Sequence, residues 1–100
     1  MYFVYILANR YNNVLYIGVT NNLKRRTIEH KTHLNRGFTW KYNVEKLVYY
    51  QSFVKIKEAI KREKNLKRWK RAWKEELISS FNPDWRDLAD DILEEEKDFG

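Results

Sequence analysis

Three runs of β-branched and aromatic residues predict the strands of this protein. Residues 2–7 are apolar at every position, which is typical of a strand covered on both faces. The polar run around Asn12 supplies turn residues, and residues 14–19 are a second apolar run, so the two runs predict a hairpin. A third run, over residues 45–53, predicts another strand.

Helical spacing of apolar residues begins after the hairpin. We predict a first helix over residues 23–34, capped by one of the two asparagines before it. Residues 55–81 predict two helices that meet near Trp69. The Asn82-Pro83 pair ends this segment, because proline disfavours helical backbone in the residue before it. A short acidic helix is predicted beyond that pair.

The order of these elements, β-β-α-β-α-α, predicts an α+β fold in which a three-stranded antiparallel sheet is flanked by helices. A chain of 100 residues builds one domain with one modest core. We therefore predict a domain over residues 1–83. The acidic helix or tail, residues 84–100, is expected to pack on or near that domain.

Charge is divided unevenly along the chain. Residues 1–78 hold 18 lysines and arginines against 6 aspartates and glutamates, a net charge of +12, whereas residues 79–100 have a net charge of −6. A domain this basic attracts polyanions, and nucleic acid is the commonest of them in a cell. Charge alone leaves two interpretations open, nucleic-acid binding and simple solubility.

Composition excludes several classes of protein. The chain contains no cysteine, which excludes disulfides and thiolate metal sites. No apolar run approaches the length of a membrane span, and the strand-like start has neither the basic region nor the cleavage site of a signal peptide. We therefore expect a cytoplasmic protein with no membrane partner, and a monomer.

Two tyrosines on the predicted hairpin carry the most informative motif. Tyr5 ends residues 3–5 (Phe-Val-Tyr), and Tyr16, eleven residues later, begins residues 16–18 (Tyr-Ile-Gly). On pattern alone, a strand tyrosine is usually a core residue with its hydroxyl at the rim. The pair resembles the motif of the GIY-YIG nuclease family, with a degenerate first half and an intact second half. The resemblance extends over most of the chain.

The resemblance implies a small stand-alone bacterial domain related to the N-terminal nuclease domain of an excision-repair nuclease. It implies a metal-dependent DNA endonuclease, active in DNA repair or recombination, that cuts a phosphodiester by attack of water. In this family the first tyrosine is the proposed general base and the second helps position the scissile phosphate, roles that fall on Tyr5 and Tyr16. A phenol with a pKa of about 10 needs cationic neighbours or metal-bound water to act as a base at neutral pH.

Arg26 and His30 are four residues apart and share one face of the first predicted helix. Arg26 lies at the margin of the predicted sheet-facing stripe, which is formed by Leu23, Thr27, His30 and Leu34. An arginine in that place can hold a phosphate bidentately and offset its growing charge. The resemblance places the family's arginine at Arg26 and a frequent histidine at His30. The alternative is a solvated Arg25-Arg26 pair and a half-buried histidine without a catalytic role.

Glu63 interrupts the apolar stripe of the segment 55–78, and its neighbours are basic. An ionised carboxylate in such a stripe is costly unless it is paired or binds a metal. One interpretation is an ion pair with Arg26, and the other is a single Mg²⁺ or Mn²⁺ held by this carboxylate and several waters. The resemblance implies the second, because the family keeps one catalytic glutamate on this helix. A single carboxylate argues against a two-metal site.

The segment from Lys55 to Lys74 holds 10 of the 20 basic residues, interleaved with Trp69 and Trp73. It predicts either a track for a phosphate backbone or a solvated lysine-rich face. Trp40, in the predicted loop after the first helix, either stacks on a base or covers the sheet edge. The residues that we predict to contact nucleic acid are Gly18, Arg25, Lys61, Lys64, Lys67 and Arg68.

The polar residues after the helical segment have two interpretations each. Asn82 loosely matches an asparagine of some family members, and a turn-forming Asn-Pro pair explains it equally well. Asp84 and Asp87 are better explained as charges at a helix start than as metal ligands. The acidic tail either lies on the basic surface, where it competes with DNA, or completes the core.

A metal-dependent DNA endonuclease is thus the leading hypothesis. A nucleic-acid-binding module that keeps the fold without catalysis is the alternative, because the first half of the tyrosine motif is degenerate. A third hypothesis is a protein-interaction domain whose basic face binds an acidic partner.

Overall fold

The computed structural model describes residues 1–32 and 37–97, and it has the predicted α+β architecture. The strands are β1 (Tyr2–Ala8), β2 (Leu15–Thr20) and β3 (Lys46–Phe53). They form an antiparallel sheet in the order β2-β1-β3. The helices are α1 (Leu23–Lys31), α2 (Phe38–Lys41), α3 (Ile56–Arg68), α4 (Arg71–Phe81) and α5 (Ala89–Lys97).

The central strand β1 serves two separate cores. Because side chains alternate along a strand, neighbouring residues of β1 lie on opposite faces of the sheet. One face, here called the α3 face, buries Val4, Ile6, Ala8, Ala59, Leu66 and Ile78. The other, here called the α1 face, buries Tyr5, Leu7, Leu23, Val44, Leu47 and Leu88. The sheet is therefore covered on both sides, as the uninterrupted apolar run of β1 predicts.

The turn between β1 and β2 is closed by side chains. The amide oxygen of Asn9 accepts hydrogen bonds from the N–H groups of Asn13 and Val14, both 3.0 Å long. Arg71, at the start of α4, donates to the carbonyl oxygens of Asn12 and Asn13 at 2.7 and 3.0 Å. The hairpin is thereby tied to the helices of the α3 face.

Helix α1 begins where the sequence predicts and ends earlier. The side chain of Asn22 caps it by accepting a 3.0 Å hydrogen bond from the N–H of Arg25. The helix ends at Lys31, and the hydroxyl of Thr32 donates back to the carbonyl of Ile28 at 2.8 Å. The predicted stripe residue Leu34 lies outside the described residues. The other three stripe residues are buried.

The long helical segment breaks into two helices as predicted. Trp69 and Lys70 have extended backbones, so α3 ends and α4 begins at this pair. The short helix α2 lies where the sequence predicts a loop, and it carries the exposed Trp40. Within the two described ranges, no helix has both the length and the apolar character needed to cross a membrane.

The connection between α4 and α5 is anchored to β3. Asp87 accepts hydrogen bonds from the N–H groups of Leu47 and Ala89 at 3.1 and 3.0 Å. The N–H of Leu88 donates to the carbonyl of Leu47 at 2.7 Å. Leu88 and Ala89 are buried on the α1 face. The start of the tail therefore completes the core, and the acidic helix begins at Ala89 rather than at Asp84.

Asn82 has a structural role in the same connection. It is buried, and its side-chain NH₂ donates to the carbonyls of Val48 and Arg86 at 3.2 and 2.8 Å. Its amide oxygen accepts from the N–H of Arg86 at 3.3 Å. These bonds support the turn-forming interpretation of Asn82, because they commit the amide to the backbone of the turn and of β3.

Candidate active site

Two strand tyrosines and a helix histidine meet on the α1 face. Tyr5 and Tyr16 lie on neighbouring strands of the hairpin, and their ring centres are 6.2 Å apart. The ring of His30, on α1, lies 5.8 Å from that of Tyr5 and 5.7 Å from that of Tyr16. Three of the predicted catalytic residues therefore form one cluster.

Gly18 makes room for the ring of Tyr5. The two residues are paired across β1 and β2. A Cβ atom at Gly18 would lie 2.5 Å from the Tyr5 hydroxyl oxygen and 2.6 Å from the ring carbon that carries it, far inside van der Waals contact. The close approach that a glycine permits at this position is therefore made by the side chain of Tyr5.

His30 is held by a hydroxyl at each ring nitrogen. Its Nε2 is 3.2 Å from the hydroxyl of Tyr5, and its Nδ1 is 3.1 Å from the hydroxyl of Thr39. All three side chains are buried. A neutral imidazole donates a hydrogen bond from one ring nitrogen and accepts one at the other. One of the two hydroxyls therefore accepts a hydrogen bond from the ring, and the other donates one to it. Thr39 belongs to α2, and neither charge nor periodicity marks it in the sequence.

Burial favours the uncharged forms of Tyr5 and His30. Burial raises the pKa of Tyr5, and the neighbouring Tyr16 raises it further. The charge of Arg26 lowers the same pKa. Burial also lowers the pKa of His30, Arg26 lowers that pKa further, and Glu29 opposes both. A raised pKa is the opposite of what a tyrosine base needs at neutral pH.

Arg26 lies beside the cluster with unused hydrogen-bonding capacity. Its side chain is 33% exposed, and its nearest carboxylate oxygen, on Glu29, is 3.7 Å away. Among the described residues, neither the buried Nε of Arg26 nor this oxygen of Glu29 has a hydrogen-bond partner. A guanidinium left in this state suits an anionic ligand. The adjacent Arg25 is exposed.

Helical geometry separates Arg26 from Lys31. Lys31 forms an ion pair with Asp87, which is bonded to Leu47 of β3. Arg26 precedes Lys31 by five residues, so the two side chains are about 140° apart around α1. Arg26 therefore lies away from this ion pair, where its charge acts on Tyr5 and His30.

Glu63 lies on the helix that covers the opposite, α3 face of the sheet. It is flanked in the helix by the buried Ala59 and Leu66, and its side chain is 16% exposed. Its carboxylate pairs with the ammonium group of Lys67 at 3.1 Å. The interpretation of Glu63 as a partner of Arg26 is wrong, because α1 and α3 pack on different faces of the sheet.

The edge of β2 connects the two faces. A depression of about 350 Å³ at this edge is lined by Leu15, Tyr16, Ile17, Lys67 and Lys74. Lys67 is also the partner of Glu63. Tyr16 of the tyrosine cluster and Lys67, the partner of Glu63, thus meet at one strand edge.

The predicted nucleic-acid-binding residues of α3 divide between two sides of the helix. Lys61, Lys64 and Arg68 line an open depression of about 320 Å³ together with Lys57. Lys67 lies instead at the edge of β2. The other three cations therefore form a separate stripe on the same helix.

A metal ion in this region would depend on Glu63. Among the side chains that the structure describes, no three of the His, Cys, Asp and Glu types are grouped so that they could hold a metal ion. Magnesium at phosphate-processing sites is usually held by one or two carboxylates, by substrate phosphates and by water. The partly exposed carboxylate of Glu63 fits that donor set.

Comparison with known proteins agrees with this geometry. The GIY-YIG catalytic domain family matches residues 1–76. A UPF0213 protein of Clostridium perfringens is 39% identical over 80 residues, which are 80% of this chain and 85% of the relative. A UPF0213 protein of Streptococcus pneumoniae is 36% identical over 77 residues, 77% of each chain.

A solved structure has the same fold. The solution NMR structure of a UPF0213 protein from Bacillus halodurans superposes with a TM-score of 0.51 at 30% sequence identity, over 79% of this chain and 84% of that one. The region that the family model matches, residues 1–76, contains Tyr5, Tyr16, Arg26, His30 and Glu63. The α+β fold and the resemblance are thereby confirmed, and this chain belongs to the GIY-YIG family.

Proposed function

We propose that this protein is a metal-dependent endonuclease that hydrolyses a phosphodiester bond of DNA at the edge of β2. The observation that carries the proposal is the hydrogen-bonded pair Tyr5 and His30 beside Tyr16. Tyr16 shares an open depression with Lys67, the partner of Glu63. Family membership supports a nucleic-acid substrate. The net charge of +12 over residues 1–78 supports a polyanion.

The scissile phosphate is assigned to the cations around the β2 edge. Arg26 has a buried Nε without a partner among the described residues, which supports a role as a phosphate donor. Lys67 and Lys74 line the depression beside Tyr16 and supply positive charge from the other side. A phosphate between them would be neutralised from both faces of the sheet.

The attacking water is assigned to Tyr16, with Tyr5 behind it. Tyr5 is 2% exposed, whereas Tyr16 lines the open depression. The water proton passes to the Tyr16 oxygen, the Tyr16 proton to Tyr5, and the Tyr5 proton to Nε2 of neutral His30. Because the Tyr5 hydroxyl gains one proton as it loses another, its raised pKa is no obstacle. These roles differ from those that the resemblance implies.

The bond changes follow from that proton path. The water oxygen forms a bond to phosphorus while the bond from phosphorus to the leaving oxygen breaks, and the leaving oxygen takes a proton from solvent. Glu63 would hold one Mg²⁺ or Mn²⁺, which supplies Lewis-acid stabilisation of the phosphate charge when bound. Arg26 donates hydrogen bonds to the same charge as it grows.

The test is nicking of supercoiled plasmid by purified protein with Mg²⁺, with Mn²⁺ and with a chelator. The wild-type protein is expected to nick the plasmid only with metal. Glu63→Gln should abolish nicking, because it removes the metal-binding charge while keeping the shape of the side chain. Glu58→Gln, an exposed position of the same helix, is the matched control and should nick as the wild type does. Nicking by Glu63→Gln at the wild-type rate contradicts the assigned site.

Binding of duplex DNA separates the endonuclease from a module that only binds. With the cations described above, affinity should fall with salt along a log–log slope that corresponds to roughly four to eight released counterions. This slope without any nicking would favour the non-catalytic module. A slope near zero would remove nucleic acid as the partner.

A further inference from the structure

Two tryptophans at the junction of α3 and α4 form an exposed aromatic surface outside the candidate active site. Trp73 is 52% exposed, and its ring meets that of Trp69 edge to face, with centres 6.1 Å apart. Trp69 packs against the core of the α3 face. The pair lines a depression of about 340 Å³ with Glu76, Leu77 and Ser80. We call this depression the tryptophan platform.

The core explains Trp69 and leaves Trp73 unexplained. Trp69 fills space beneath the helices, and the guanidinium of Arg62 lies over its ring, 5.0 Å from the centre. Trp73 is not part of either core, and the Lys70 ammonium group lies 5.7 Å from its ring centre. Exposed tryptophan combined with adjacent positive charge is typical of surfaces on which nucleic-acid bases stack.

The tryptophan platform lies next to the β2 edge along α4. Lys74, the residue after Trp73, lines the depression that contains Tyr16. Lys74 also donates a 3.4 Å hydrogen bond to the carbonyl of Lys67, which joins the ends of the two helices. A strand whose phosphates contact these two lysines therefore passes from the candidate active site to the platform.

We propose that Trp73, supported by Trp69, stacks on an unpaired base of the DNA substrate. The phosphates next to that base lie on Lys67 and Lys74. Bases in a continuous duplex are already stacked on each other, so the platform favours a substrate with a single-stranded or locally unpaired segment. This inference rests on the proposed function for the identity of the ligand, and it adds the substrate class.

The charge of the surface favours nucleic acid over a second protein. Lys67, Lys70 and Lys74 lie at the edges of the platform or next to it in sequence, and Glu76 is its one acidic residue. An apolar protein surface would supply no counterions for these ammonium groups, of which Lys67 already pairs with Glu63. A phosphate backbone supplies them, and its bases supply flat partners for the rings.

The test measures binding without catalysis, in chelator and at low salt. The probes are a fluorescein-labelled oligothymidylate of about 12 nucleotides and a blunt duplex of the same length. Trp73→Ala is expected to bind the single strand about 5- to 100-fold more weakly than the wild type and to bind the duplex unchanged. Trp73→Phe should keep most of the single-strand affinity. Tyr11→Ala, an exposed aromatic of the β1–β2 turn, is the control and should bind both probes as the wild type does.

These binding measurements test the tryptophan platform independently of nuclease activity. Equal single-strand affinity of Trp73→Ala and wild type overturns the platform and leaves the proposed endonuclease standing. Equal losses of affinity for both probes would also overturn the platform, because they show that Trp73 has a general role in binding or in folding. Thermal melting of the variant distinguishes a binding role from a folding role. A wild-type protein that binds neither probe overturns the nucleic-acid partner altogether. Dimer dissociation on Trp73→Ala, seen by light scattering, would assign the platform to a second copy of the chain instead.

Discussion

The central strand β1 contributes side chains of different chemistry to the two faces of the sheet. On the α3 face, β1 contributes Val4, Ile6 and Ala8, which are apolar and fully buried. On the α1 face, β1 contributes Tyr5, whose buried hydroxyl is bonded to His30. Packing on the first face needs only apolar groups of the right size. The second face also needs a partner for every polar atom, so its geometry is specified far more narrowly.

This difference separates stability from function. Loss of an apolar contact on the α3 face removes burial and leaves the hydroxyls of the α1 face in place. Loss of a hydroxyl on the α1 face leaves its partner buried and unbonded, and the imidazole or phenol can then turn away. Substitutions on the α3 face should therefore change mainly stability, and substitutions on the α1 face should also change activity. The expected effects are given in decreasing order of size.

The largest effect is expected from truncation after Pro83. The shortened chain lacks Leu88 and Ala89, which are buried on the α1 face, and it lacks the two bonds to Leu47. We expect loss of cooperative thermal unfolding, measured by circular dichroism. Truncation after Lys97 is the control and should melt as the full chain does. A folded protein from the Pro83 truncation, with tighter DNA binding, would show instead that the tail inhibits binding.

Leu66→Ala should destabilise the protein by about 2–5 kcal/mol, because it opens a cavity in the fully buried α3 face. Urea unfolding measures the change. Nicking of plasmid by the folded protein should stay at the wild-type rate. Ile56→Ala, an exposed position in the same helix, should cost less than about 1 kcal/mol. A catalytic defect in folded Leu66→Ala would show that packing of α3 against the sheet also positions Glu63.

Thr39→Val keeps the shape of the side chain and removes the hydroxyl that bonds Nδ1 of His30. The unbonded nitrogen should cost about 1–3 kcal/mol of stability, and nicking should fall roughly tenfold or more. Thr39→Ser restores the hydroxyl and should recover the rate. Nitrogen NMR of the His30 ring reports its tautomer, and a tautomer unchanged in Thr39→Val would contradict this role of Thr39.

The smallest effect is a dependence of stability on pH. Burial lowers the pKa of folded His30 below its ordinary value of about 6.5, so the unfolded chain binds more protons between the two values. The free energy of unfolding should therefore be highest above pH 6.5 and should fall as the pH drops through that value towards the folded pKa. His30→Gln should remove this part of the slope, measured by urea unfolding at a series of pH values. An unchanged slope would place the responsible group elsewhere.

Local sequence patterns predict most of the fold. The apolar runs of β1 and β2, the cap at Asn22 and the break at Trp69 each depend on residues close together in the chain, and the structure confirms them. The predicted stripe of α1 likewise places His30 towards the sheet.

What the sequence could not predict depends on contacts between distant segments. The overlap of Tyr5 with Gly18 follows from strand register, and the bond from Thr39 to His30 depends on the path of the chain after α1. Spacing along a helix also does not say which face of the sheet that helix covers. This is why the sequence leaves open an ion pair between Arg26 and Glu63, and the structure shows that interpretation to be wrong.

The two edges of the sheet have different neighbours, which bears on aggregation. At Leu47, backbone groups of β3 are bonded to Asp87 and Leu88, whereas no further strand of the described chain lies beyond β2. An open strand edge is a template for pairing with another copy of the same strand, and lysines are a common protection against it. Lys67 and Lys74 flank β2, so two such edges that approach each other bring like charges together. The lysines that are proposed to receive a phosphate backbone would thus also oppose growth of the sheet from one molecule to the next.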